Sequence, residues 1–171
     1  MIDHVNNLKL QHLVELSKLG DRCAGMVTAS LRDRSATHVR VNAAVGTFDT
    51  TSRPEPPFTS ESGVLLGRME IDKVFQGQLE GTGAVHMTYV RTPVETSAGY
   101  VAVERITGSL DGRQGSFVVL HVGVAQGSDA RLEVSIVPDS GTGELVGITG
   151  SMAISEGAGG HRYTLDYQLP G

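Results

Sequence analysis

The chain of 171 residues holds a single cysteine, Cys23, no tryptophan, and aromatic side chains at only 5% of its positions. One cysteine cannot close an internal disulfide and has no cysteine neighbour with which to build a zinc site, so Cys23 reads as a small apolar side chain. A basic surface is lacking as well. The net charge is -5 and no stripe of lysine and arginine interrupts it, which argues against nucleic acid as a partner. No segment approaches the ~20 apolar residues that span a bilayer. The first residues carry Asp3 and Glu15 and lack the basic start and apolar run of a secretory signal. The expectation is a soluble, cytoplasmic protein that binds neither nucleic acid nor membrane.

Recognised chemical motifs are absent too. There is no nucleophile elbow and no dinucleotide fingerprint, and Ser140-Gly141-Thr142-Gly143 lacks the lysine and the following helix of a phosphate-binding loop. No closely spaced group of His, Asp and Glu offers three metal ligands. Neither a metal nor a cofactor is expected.

Glycine is what the chain has in abundance. Its 22 glycines, beside 19% charged residues, describe a compact, turn-rich protein rather than a disordered one. The length suits one domain with a proper core. Two textures divide it. Residues 3–19 carry Val5, Leu8, Leu13, Leu16 and Leu19 at helical spacing, with Asp3 as cap and Gly20 as stop, and a weaker helix follows over 21–33. From His38 the pattern turns to short β-rich runs, predicting strands over 39–51, 64–76, 82–91, 100–108, 116–124, 131–137, 145–155 and 162–169. Residues 1–37 therefore read as a helical extension and 38–171 as an all-β domain. Glycine turns at 111–115 and 126–129 predict antiparallel neighbours. The strand at 116–124 is apolar on both faces, so its outer face should pack on the helices or on another subunit.

The segments GTFDTTS (46–52), KVFQGQLEG (73–81), ERITGSLDGR (104–113), GSFVVLH (115–121), PDSGTGELVGITG (138–150) and HRYTLDY (161–167) occur in order along the β region. Together they resemble a bacterial family of uncharacterised proteins with an allene oxide cyclase-like barrel. The resemblance implies a roughly eight-stranded antiparallel β-barrel of the calycin-like kind, covering the chain from about Ala43 onward. It does not extend to the first forty or so residues. Two further departures, Arg53 where the family pattern suggests Trp and His86 at a position more often acidic, are expected to alter the pocket.

A small antiparallel barrel is either filled by side chains or holds one small ligand, and glycine-rich strands favour space. Ionisable residues at strand centres then matter most, because buried charge is costly unless paired. These are Lys73, His86, Glu104, Arg105 and His121. Glu104 and Arg105 are consecutive and point to opposite faces. If Glu104 faces inward it can act as a general acid or base; if Arg105 does, it can bind an anionic group. A purely structural ion pair that fixes register is open to both. His121 lies on the next strand, where an imidazole can meet the Glu104 carboxylate. Glu104 and His121 are thus the candidate catalytic residues, with Arg105, His86, Tyr89, Tyr100 and Phe117 as candidate substrate contacts.

Allene oxide cyclase-like relatives work chiefly by holding a flexible substrate in a folded shape, which fits the lack of motifs. The resemblance therefore implies a cofactor-independent cyclase or isomerase acting on a small hydrophobic molecule; a homo-oligomer is expected separately, from the apolar outer face. The competing readings are a non-catalytic carrier or sensor, favoured by a wholly apolar interior, and a filled barrel with only a scaffolding role.

Overall fold

The computed structural model describes residues 41–157 and 160–170. The proposed helical extension, with Cys23, lies outside them. Nine strands form one sheet: β1 (Asn42–Pro54), β2 (Thr59–Glu61), β3 (Val64–Gly77), β4 (Leu79–Arg91), β5 (Ser97–Leu110), β6 (Arg113–Gln126), β7 (Asp129–Ile136), β8 (Thr149–Gly157) and β9 (Gly160–Gln168). Every pairing is antiparallel, each strand from β2 to β9 beside the next, and β1 pairs with both β9 and β3. That double pairing closes β1 and β3–β9 into an eight-stranded barrel, with β2 as a short flap on β3. Among the described residues no helix is long and apolar enough to cross a membrane.

Strand alternation sorts side chains into lumen and exterior. Inward sets run Met69, Ile71, Lys73 and Phe75 on β3; Gly83, Val85, Met87, Tyr89 and Arg91 on β4; Ala102, Glu104 and Ile106 on β5; and Phe117, Val119, His121 and Gly123 on β6. The two ends of the barrel differ. At one, Leu79, Leu110, Leu145, Ile148, Leu165 and Tyr167 fill the lumen, and we call it the packed end. Toward the other, the inward residues Ile71, Met87, Tyr100, Leu132 and Ile154 are only half-buried, so the lumen there meets solvent.

The stretch from Pro138 to Gly150 is what seals the packed end. Only Thr149 and Gly150 belong to β8; Gly143–Leu145 is a single 3-10 turn rather than the start of the strand expected from 145. β6 pairs with β7 only from Val119 onward, leaving the first half of its edge bare. Three side chains cover it at alternate positions: Glu144 Oε2 accepts from Gln114 N, Thr142 Oγ1 from Ser116 N and Ser140 Oγ from Val118 N. The loop thus stands in for a missing strand, satisfying donors that would otherwise be orphaned. Glycine is required at 141, where a Cβ would collide with the Leu145 carbonyl.

The outer face of β6 is apolar, as the sequence indicated. Leu120, Val122 and Val124 are 46–59% exposed, beside Val101 and Val103 of β5.

Candidate functional site

Three ionisable side chains meet inside the barrel. Glu104 of β5 is fully buried, and its Oε2 receives both Lys73 Nζ from β3 at 2.7 Å and His121 Nε2 from β6 at 2.8 Å. Lys73 and His121 are themselves buried. β3 and β5 are not neighbours, since β4 lies between them. The pair can touch because the β4 residue opposite Lys73 is Gly83, over whose bare Cα the Glu104 carboxylate leans. A Cβ at Gly83 would strike Glu104 Oε1. A glycine inside a strand often marks such a close approach.

The electrostatics follow from burial and pairing. Burial pushes the Glu104 carboxyl up, but the Lys73 charge and the hydrogen bonds from His121 and Lys73 together outweigh it and hold the group below its usual value, as a carboxylate. Burial, helped by the Lys73 charge, lowers His121 against the opposing pull of Glu104, so the imidazole is neutral near pH 7. With a carboxylate at 2.8 Å from Nε2, that nitrogen carries the proton. Nδ1 then holds the basic lone pair. Glu104 Oε1, by contrast, is buried with no hydrogen-bond partner.

Around this centre the walls divide. On the packed side, Lys73 Nζ lies 4.7 Å from the Phe48 ring centroid, a cation–π contact that compensates part of its desolvation. Toward the accessible end, the Tyr100 ring lies across Gly123, the inward position after His121, and the Tyr89 ring lies across Gly67. Burial, with the Glu104 charge adding, pushes the Tyr100 phenol up to about 12, so it stays a protonated donor. Beyond Tyr89 comes Arg91, its guanidinium carbon 5.4 Å from the Tyr89 ring centroid.

Of the residues singled out from sequence, Glu104, His121, Tyr89 and Tyr100 face the lumen, and Phe117 is buried in the core beside them. Arg105 and His86 do not. Arg105 is the outward neighbour of Glu104 and donates to Ser116 Oγ at 3.3 Å, bordering an outer groove of about 300 Å³ with Asp72, Val74, Thr82, Ala84 and Thr107. His86 stands outside, 3.7 Å from Glu70, and Arg53 pairs with Asp72 and Glu70 on the same outer surface. The two departures at 53 and 86 therefore lie on the exterior and not in the lumen. Two lumen residues escaped the sequence reading as site members. Lys73 was visible as a strand-centre cation but its reach across Gly83 was not, and Arg91 looked like a strand end. Among the described residues no group of His, Cys, Asp and Glu converges as a metal site.

Comparison with known proteins agrees with this architecture. Residues 44–167 match the family described as "Protein of unknown function (DUF3224)". The crystal structure of a protein of unknown function of that family from Shewanella oneidensis MR-1 superposes with a TM-score of 0.73 at 42% identity, covering 77% of this chain and 100% of the other. No curated protein matches.

Proposed function

The chain belongs to the DUF3224 family, whose function is unknown, and we propose that it is a small-molecule-binding barrel that moves a proton on a largely apolar substrate, as a cofactor-independent isomerase or cyclase. The observation that carries this reading is the buried Glu104 carboxylate holding a neutral His121 by Nε2. Such a pair fixes one tautomer and stabilises the imidazolium that forms when the other nitrogen takes a proton.

The step is redox-neutral. His121 Nδ1 takes a proton from a carbon beside a substrate carbonyl, and the C–H electron pair moves to make an enolate. The Tyr100 phenol donates to the enolate oxygen. Where a double bond lies β,γ to the carbonyl, the charge extends to the γ carbon and the imidazolium returns its proton there, giving the conjugated isomer. Alternatively the enolate carbon attacks an electrophilic carbon of the same folded molecule, and the imidazolium protonates the oxygen released, closing a ring. Lys73 keeps Glu104 ionised throughout by holding a positive charge 2.7 Å from its carboxylate. The allene oxide cyclase-like resemblance supports the same reading, since enclosure of a flexible substrate supplies much of the acceleration.

The test uses an alkyl-tailed β,γ-unsaturated ketone in D2O, following deuterium uptake and double-bond migration by NMR. Wild-type protein should exceed background, and both Glu104→Gln and His121→Ala should lower the rate by roughly 10²–10⁴-fold, the usual worth of general acid–base catalysis. Exchange at background in the wild type, or full exchange in both variants, refutes the catalytic assignment; binding without exchange returns the carrier.

A further inference from the structure

We propose that Arg91 is an anion-binding residue at the accessible end of the lumen and that the natural ligand carries a carboxylate at one end of an elongated apolar body. This rests on the small-molecule reading above and names the class of molecule.

Arg91 has the inward parity of Val85, Met87 and Tyr89 on β4. Its Nε and Nη2 are both buried, and neither has a hydrogen-bond partner. These two nitrogens form one edge of the guanidinium, the side-on fork whose parallel N–H bonds match the two oxygens of a carboxylate. A buried donor without an acceptor costs free energy, and two on one charged edge cost more than an isolated lapse. Such an expense is characteristic of a site that waits for its acceptor. The Tyr89 ring holds the guanidinium from one side, which fixes the plane of the fork.

Position supplies the second half. Val85 is the β4 residue in register with Glu104, so Arg91 lies six residues further along the same inward face. At ~3.3 Å per residue that is roughly 20 Å of strand, shortened by the reach of the arginine and glutamate side chains. The wall between is made of Val85, Met87, Tyr89 and, from β5, Tyr100 and Ala102, which are apolar apart from the two phenols. A molecule gripped at Arg91 by its carboxylate presents a carbon well removed from that group to His121. Arg105, the arginine expected from sequence to do this, lies on the exterior.

Binding of decanoate and of decanol to the full-length protein, measured by calorimetry at one ionic strength, tests the proposal. Arg91→Met should weaken decanoate roughly 10- to 100-fold, as expected for a charged bidentate contact, and leave decanol unchanged. Arg91→Lys, which keeps the charge and loses the fork, should fall between. If Arg91→Met does not fold, the wild-type Arg91 Nε–H NMR resonance serves instead: it should shift on adding decanoate and not on adding decanol. Failure of the wild type to distinguish acid from alcohol, or equal decanoate affinity in wild type and Arg91→Met, overturns it. Because binding is read without turnover, a wild-type protein that binds decanoate through Arg91 but catalyses no exchange would remove the catalytic reading and leave this one standing.

Discussion

At Lys73 the physics of a buried charge can be tested in isolation. Its ammonium has Glu104 as ionic partner and Phe48 and Phe75 as aromatic walls. Removing one member of such a pair strands the other, at about 3–5 kcal/mol, whereas replacing both with uncharged groups is often nearly neutral. Lys73→Met should therefore cost about that much in urea denaturation, and the double variant Lys73→Met/Glu104→Gln should cost less than the sum of the two single changes. Additive losses would mean that the two side chains are not coupled. Gly83 belongs to the same account, since any side chain there displaces the carboxylate that both Lys73 and His121 share.

Among the elements, the strand pairings are unequal. β5 and β6 are in register along their whole length, from Ser97 opposite Gln126 to Leu110 opposite Arg113, while β7 and β8 share one register pair, Ser135 with Ser151. Local opening should start at that seam. Amide hydrogen exchange should show the residues flanking Ser135 and Ser151 exchanging faster than Val103 or Val119, and equal protection would rule out a weak seam. The strands and their order were largely legible in the sequence because period-two alternation and turn glycines are local signals. The Glu104–His121 pairing was legible as an option for the same reason: two inward positions on adjacent strands. What local reading could not supply was contact across an intervening strand, as between Lys73 and Glu104, or the replacement of a strand by side chains, as in the 140–144 loop. β2 was missed because three residues are too short for alternation to register.

For the whole molecule, the charge centre links stability to pH with a definite sign. Both His121 and Glu104 have folded-state values held below their ordinary ones of 6.5 and 4.5, so the unfolded chain binds the extra protons. Stability therefore falls with falling pH, first as pH drops through about 6.5 and again below about 4.5. Urea midpoints from pH 8 to pH 4 should show this decline, and His121→Asn should remove its upper part and keep the lower; a flat profile in the wild type would contradict the assignment of a neutral His121 beside an ionised Glu104. Every pairing in the barrel joins strands close in sequence except one, β1 with β9, where residues 42–48 meet residues 161–167. Without that pairing the sheet is open, with the edges of β1 and β9 unpaired and each a template for the complementary edge of another copy. Strand exchange and aggregation during refolding thus compete with a single event, the meeting of the two ends of the sheet.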